Sequence, residues 1–378
     1  MASTSADPDV SGPVRPEDLH CLADAERAAA TVLPAAVRDF VAGGSGAEVT
    51  LDANRAALDR VFLVPRVLRD VSACTTGTTL LGRPARLPLA LAPVAYQRLV
   101  HPEGELAAAR AAQAAGVPFT VSTLSSVPVE RLTALDGTVW FQLYWLRDAE
   151  GSPDLVRRAE DAGAQAIMLT VDVPWMGRRL RDVRNRFALP DYVRAAHLAE
   201  GPSAAHRVPS GTGAASALAA HTEAVFSPAL TWSSVEALRE RTRLPLVLKG
   251  ILAAEDAVRA AECGVDAVVV SNHGGRQLDG ALPSVDALPE VVAGVAGRCE
   301  VLLDSGIRSG TDVLRALALG ASGVLVGRPA LWGLAVGGEG GVRRVLDLLA
   351  VEFRDALGLA GCADATDARE LRTVRRAG

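Results

Sequence analysis

From about residue 87 the chain settles into short, almost wholly apolar runs separated by amphipathic stretches. The runs are LPLALAP (87–93), PFTVST (118–123), TVWFQLYW (138–145), AQAIMLTVDV (164–173), LPLVLKG (244–250), DAVVVSN (266–272), CEVLLDSG (299–306) and SGVLVGR (322–328). Most are continuous rather than alternating, the pattern of parallel strands buried on both faces. Between them lie helical patterns such as GELAAARAAQAAG, DLVRRAEDAG, AEDAVRAAECG and GTDVLRALALG, several ending in a glycine suited to a left-handed helix terminus. Eight strand–helix alternations predict an α/β fold, a (β/α)8 TIM barrel. A doubly wound open sheet is the competitor, and no glycine-rich dinucleotide fingerprint follows the first strand to support it.

Two regions stand outside this rhythm. Residues 1–15 are rich in Ser, Asp and Pro without an apolar period and read as a disordered tail. Residues 16–378 read as one domain, entered through the helical segments PEDLHCLADAERAAATVL and PAAVRDFVAGG, the second opened by Pro34 and closed by Gly43 and Gly44. The fourth and fifth runs start about 80 residues apart, at 164 and 244, and the excess is mostly 189–230. This Gly-, Ser- and Ala-rich excursion is expected to hang over one barrel face as a lid with a mobile middle, although a passive insertion has the same composition.

Charge changes the picture by exclusion. The 39 basic and 44 acidic residues leave a net charge of −5 without like-charge blocks, so no nucleic acid or anionic membrane partner is expected. No apolar run approaches the ~18 residues of a membrane span. The N-terminus lacks the basic start and apolar core of a secretory signal. Five scattered cysteines without a CxxC pair fit reduced thiols in a cytoplasmic protein, and no metal site is expected. Of the 39 basic residues, Lys249 alone is lysine, and it closes the fifth strand. An ammonium is compact and tunable where a guanidinium is not, which marks Lys249 as a chemical position.

Barrel enzymes carry their reactive groups at the C-terminal strand ends. Those ends hold Gln142 and Tyr144, then Thr170 and Asp172, then Lys249, then Ser271, Asn272 and His273, then Asp304, and last Gly327 and Arg328. After strands seven and eight, glycines, Arg308, Arg328 and following helix starts suit an anion such as a phosphate. SNHGGRQLDG places an imidazole (His273) and a guanidinium (Arg276) on one loop, suited to proton abstraction and carboxylate capture. The remaining histidines, His20, His101, His197, His206 and His221, read as structural. Lys249 beside a phosphate site also fits a Schiff-base lyase, although that reading explains neither the arginines nor the His-Gly-Gly-Arg segment.

SNHGGRQLD, LTVDVPWMGRR, VLKG, DSGIRSGTDVLRALALGA and VGRP, in this order, resemble the FMN-dependent 2-hydroxyacid oxidase and dehydrogenase family from about Pro16 to Cys362. FVAGGSG, LAPVAYQRL, HPEGELA, FQLYWLRD and VDVPWMGRRLRD look most like its 4-hydroxymandelate-oxidising branch. The resemblance implies FMN across the barrel mouth. Its phosphate would lie on Gly306, Arg308, Gly327 and Arg328, its ribityl chain on Asp304, and its pyrimidine edge on Ser122, Gln142 and Thr170, with Ser271 also among the cofactor-binding residues. Val94 and Ala95 would lie near the reactive nitrogen, with Lys249 at the N1/C2-carbonyl side. Arg179 and Arg276 would clamp a carboxylate, Tyr144 would bond the substrate hydroxyl, and His273 oriented by Asp172 would take a proton. Phe40 and Leu124 stand where glycolate oxidase-like members carry Tyr and Trp, which suggests a wider apolar pocket lined by Phe40, Tyr96, Leu124, Trp175 and Met176. The implied reaction oxidises an aromatic (S)-2-hydroxy acid, mandelate or 4-hydroxymandelate, to the 2-oxo acid. Oxygen would reoxidise FMN to give hydrogen peroxide, or another acceptor would serve in its place, and family members are usually tetramers.

Overall fold

A computed structural model of the chain describes residues 14–198, 204–208 and 216–376. Its centre is a closed, all-parallel barrel of eight strands. They are β1 (Leu89–Leu91), β2 (Phe119–Ser122), β3 (Val139–Leu143), β4 (Ile167–Thr170), β5 (Leu246–Ile251), β6 (Ala267–Val270), β7 (Glu300–Leu303) and β8 (Gly323–Val326). Each falls inside its predicted run except β5, which extends one residue further. β8 pairs with β1 to close the ring, so the open-sheet alternative is excluded.

Both strand faces are apolar because each faces a different core. Leu89, Leu91, Phe141, Leu169, Leu248, Val270, Leu303 and Val326 belong to the large cluster shared with the surrounding helices. The alternate residues Ala90, Trp140, Met168, Val247, Val269, Leu302 and Leu325 form a second cluster that fills the barrel interior. Continuing that inward series by two residues reaches Ala92, Gln142, Thr170, Lys249, Ser271, Asp304 and Gly327. The polar set anticipated from the sequence is therefore the uppermost inward layer of the barrel.

Three elements were not anticipated. A hairpin of Thr78–Leu80 with Arg83–Ala85 places Leu80 and Ala85 in the inner cluster and so plugs the barrel on the side opposite the polar layer. Val61–Leu63 pairs antiparallel with Thr373–Arg375, tying the entry region to the C-terminal segment. Helix Val49–Asp59 is started by Glu48 at φ 66°, and its first turn is capped by the distant Asp279, which accepts from Ala47 N (2.8 Å) and Thr50 N (3.0 Å). A cap supplied from 230 residues away leaves no local start signal. The anticipated entry helices are Leu22–Val32 and Ala35–Ala42, with Gly43 ending the second.

Residues 1–13 of the expected tail lie outside the described residues. Val14 packs partly buried against the core, and Arg15 bonds Asp18. Within the excursion, helix Ala217–Val225 is capped by Ser216, whose hydroxyl accepts from Ala219 N. Phe226 behind it bridges to Leu146, just past β3. The expected mobile middle falls largely on 199–203 and 209–215, also outside the described residues.

Candidate active site

A cleft with about 1200 Å³ of atom-free space opens at the polar end of the barrel. Among the residues lining it are Val94, Ala95, Tyr96, Leu124, Tyr144, Met176, Arg179, Lys249, His273, Arg276, Asp304, Gly306, Arg308, Gly327 and Arg328. Phe40 joins them from the second entry helix. Trp175 does not: it is 66% exposed, and only its carbonyl is engaged, by Gln277 Nε2 at 3.0 Å. The expectation that Trp175 lines the pocket is corrected: Met176 lines the cleft while its neighbour Trp175 faces solvent.

The loop after β6 holds His273 in an unusual conformation. His273, Gly274 and Gly275 all have positive φ, at 59°, 66° and 73°. For histidine this backbone is strained, and strain of this kind persists only where the surroundings over-determine it. Here Ser271 Oγ accepts from His273 N, Ser305 Oγ from Gly274 N, and Asn272 Oδ1 from Gly275 N, each at 3.0 Å. Asn272 is itself locked to Asn54 of helix Val49–Asp59 by two reciprocal amide bonds of 2.9 and 2.7 Å. The helix missing from the sequence reading is thus what anchors the histidine loop.

His273 Nδ1 lies 3.0 Å from Asp172 Oδ1. Burial lowers the pKa of His273, Asp172 only partly offsets this, and Lys249 adds to the lowering. The imidazole is neutral at pH 7, as a proton acceptor requires. Burial opposes ionisation of Asp172, but His273 and Lys249 outweigh it and hold the carboxyl below its usual range. Gly250, at φ 112°, makes this approach possible, since a Cβ there would sit 2.6 Å from Asp172 Cβ. Gly250→Ala is expected to push Asp172 off the histidine and to lower kcat about 100-fold, with flavin retained. Steady-state kinetics would check this, and an unchanged kcat would show that the contact is not needed.

Lys249 is buried, with Nζ 3.1 Å from Asp304 Oδ2 and 3.0 Å from Ser271 Oγ. Burial disfavours its charge, but Asp304, Asp172 and Tyr144 more than compensate, so its pKa is raised. A Schiff-base lysine needs a free amine at neutral pH, and this ion-paired ammonium is the opposite. Asp304, expected on a ribityl chain, is here the counter-ion of Lys249.

The arginines share one feature. Arg179, Arg276, Arg308 and Arg328 have no carboxylate within 4 Å among the described residues. Burial lowers the pKa of all four, Arg308 to about 10 and Arg328 to about 9. Arg328 spends its guanidinium on the carbonyls of Val41, Gly274 and Gly43, and Arg308 on that of Ile307 and the face of Trp332. Arg276 uses Nη1 alone, on the carbonyls of Phe40 and Gly43, and lies 5.2 Å from the Phe40 ring centroid. Phe40 therefore holds the arginine through backbone and π-face, without a hydroxyl. Arg179 makes no side-chain hydrogen bond among the described residues, and its Nε is buried without a partner.

One detail of the anticipated anion site is corrected. The N-terminus of helix Gly310–Ala318 is already neutralised, with Gly310 N donating to Glu352 and Arg308 N to Asp312. Asp312 is paired in turn with Arg55 and Arg315. Gly306, at φ 89°, is required by close packing, since a Cβ would meet Asn54 O at 2.9 Å. The free anion-binding capacity is instead the loop ahead of that helix. The N–H groups of Ser305, Gly306 and Ile307 donate to nothing among the described residues, and Arg308 and Arg328 flank them.

With this geometry in place, residues 29–374 match the FMN-dependent dehydrogenase family. The chain belongs to the FMN-dependent dehydrogenase family. Within it, the chain is 63% identical to the 4-hydroxymandelate oxidase of Amycolatopsis orientalis, over 93% of this chain and 97% of that protein. It is 48% identical to an L-lactate oxidase from a Nostoc species, over 90% and 94% of the two chains. A solved structure of a mandelate oxidase with (S)-4-hydroxymandelic acid superposes with a TM-score of 0.92 at 62% identity, covering 94% of this chain and 99% of that one.

The residues fit the family's flavin. Gln142 Oε1 accepts from Ser122 Oγ (3.1 Å) and Thr123 N (3.2 Å), which turns its Nε2 away to stand buried and without a partner among the described residues. A buried amide donor without a partner is destabilising by about 1–3 kcal/mol, and a flavin carbonyl would remove that penalty. The uncompensated cations and free N–H groups after β7 and β8 suit its phosphate.

Residues of the excursion were missed as site residues. Leu218, His221, Thr222 and Phe226 line the cleft, and Phe226 stacks on Tyr144 at 4.5 Å between centroids. The signal was an amphipathic run, ALAAHTEAVF, inside an otherwise small and polar stretch. His197, read as structural, is so: its Nε2 accepts from Val129 N at 2.9 Å, and burial lowers its pKa to about 4.

Proposed function

We propose that this protein is an FMN-dependent oxidase of aromatic (S)-2-hydroxy acids of the mandelate type. It yields the 2-oxo acid, and oxygen returns the flavin to its oxidised state with release of hydrogen peroxide. The observation that carries the reading is the pair Arg179 and Arg276, one guanidinium buried and one half-buried, with donors to spare beside the neutral His273. A carboxylate between them replaces lost solvation with charge-assisted bonds and fixes the acid in one orientation.

FMN, when bound, supplies a two-electron acceptor at the cleft. Oxidation of the alcohol releases two electrons and two protons: His273 takes up one proton, and the two electrons with the other proton would pass to the flavin. Asp172 holds the imidazole through Nδ1 and stabilises the imidazolium that results. Tyr144, whose pKa burial raises to about 12, stays protonated and is placed to bond the substrate hydroxyl. Ser122, Gln142, Thr170, Ser271 and Lys249 would hold the flavin from the uppermost barrel layer, and Arg308, Arg328, Gly306 and Gly327 would hold its phosphate. Phe40, Tyr96, Leu124 and Met176 give the substrate ring an apolar wall, which supports an aromatic acid over glycolate. No described helix is long and apolar enough to cross a membrane. A cytoplasmic homotetramer is our reading of the assembly, supported by the family resemblance.

An anaerobic visible spectrum of the purified protein, before and after (S)-4-hydroxymandelate and then in air, tests this. We expect a flavin band that bleaches with substrate and returns with oxygen. A band that fails to bleach would reject the substrate class, and one that bleaches but does not return in air would reject the oxidase.

A further inference from the structure

Eight strands in a ring place β3 and β4 opposite β7 and β8. The anion-binding loops lie on the β7–β8 side of the mouth. Helix Ala217–Val225 lies on the other, fixed by Phe226 against Leu146 and Tyr144 and by Thr222 Oγ1 near Met176 Sδ at 3.9 Å. The cleft wall there is mostly apolar, made of Leu124, Met176, Leu218 and Phe226, with two polar side chains, Thr222 and His221. His221 lines the cleft, is 5% exposed, and its Nε2 is buried with no hydrogen-bond partner among the described residues.

A buried ring nitrogen without a partner is destabilising by about 1–3 kcal/mol and is rare in folded proteins unless something else completes it. Burial also lowers the pKa of His221, so the ring is neutral and offers one donor and one acceptor. A carboxylate or ammonium is a poor match for a neutral ring in an apolar wall. A phenol is a good one, because its ring suits the wall and its hydroxyl, protonated at pH 7, can donate or accept as the tautomer requires.

We propose that His221 is the specificity-determining residue for a hydroxyl on the distal edge of the substrate ring. This rests on the functional reading above: the carboxylate at Arg179 and Arg276 and the hydroxyl at Tyr144 and His273 direct the ring toward the β3–β4 side. His221 stands on the excursion helix, across the mouth from the anion-binding loops after β7 and β8. Its effect is therefore on which acid is held, not on the step that follows.

The test compares (S)-4-hydroxymandelate with (S)-mandelate in the holoenzyme, in H221F and in H221Q. A site built to bond a hydroxyl discriminates strongly against the analogue lacking it. The parent is expected to favour 4-hydroxymandelate in kcat/KM by about tenfold or more. In H221F the preference disappears, because the 4-hydroxymandelate value falls by more than the mandelate value. H221Q, which keeps a donor and an acceptor, recovers part of the preference. Flavin-band titration with 4-hydroxybenzoylformate and benzoylformate reads the same difference as binding, without turnover. A parent without preference, or an H221F whose two substrates fall equally, overturns the proposal. If the parent flavin is reduced by neither acid, it is the functional reading that fails, and the two failures are distinct.

Discussion

Replacing His273 with alanine is expected to leave a yellow protein whose flavin is reduced by (S)-4-hydroxymandelate about 10³- to 10⁴-fold more slowly. Among the described residues the side chain bonds only Asp172, and the loop's backbone N–H groups are held by Ser271, Asn272 and Ser305. Removing the imidazole therefore takes away the proton acceptor without dismantling the flavin contacts. Because residue 273 has φ 59°, His273→Asn serves as a second variant whose side chain tolerates that backbone. Anaerobic stopped-flow reduction measures both. Reduction within tenfold of the parent in either variant would remove His273 from the mechanism. The same group sets the acid limb of the pH profile. Its pKa lies below the ordinary 6.5, so kcat/KM holds down to that point and falls as the ring protonates. Asp172 raises the His273 pKa, so Asp172→Asn is expected to move the limb to lower pH while slowing reduction.

The site was legible where it follows from strand periodicity. Trp140 and Val247 fill the barrel, so Gln142 and Lys249, two residues on, must point the same way one layer higher. A polar residue ending an apolar strand is thus assigned both a location and a direction by the alternation alone. The same logic cannot reach residues whose placement depends on partners distant in sequence. Helix Val49–Asp59 takes its cap from Asp279 and its packing from the β6 loop, so no window of local sequence announces it. His221 carries no signal of its own. It became a site residue because Phe226 pairs with Leu146 and swings the excursion helix over the mouth. Trp175 shows the converse error, since an aromatic in the same loop as a functional arginine reads as pocket lining, yet its side chain is exposed.

Replacing Lys249 with methionine is expected to have two effects that a second variant separates. The first is on stability. Asp304 is 6% exposed and paired to Nζ at 3.1 Å, so K249M leaves a buried carboxylate alone. Breaking one side of a buried pair is destabilising by about 3–5 kcal/mol. The second is on redox behaviour. A fixed buried cation beside the flavin favours the reduced, more negative cofactor, so its loss lowers the flavin potential and slows reduction about 100-fold. K249M/D304N removes both charges and keeps an acceptor for the Ser305 hydroxyl, which bonds Asp304 Oδ1 at 2.8 Å. The double variant is expected to regain most of the lost Tm and none of the lost potential. If the potential recovers along with Tm, Lys249 serves only to neutralise Asp304, and its place as the single lysine among the basic residues is a matter of packing. If Tm recovers and the potential stays low, the ammonium acts on the flavin directly. That outcome accounts for an amine kept at a barrel position where every other cation in the chain is a guanidinium.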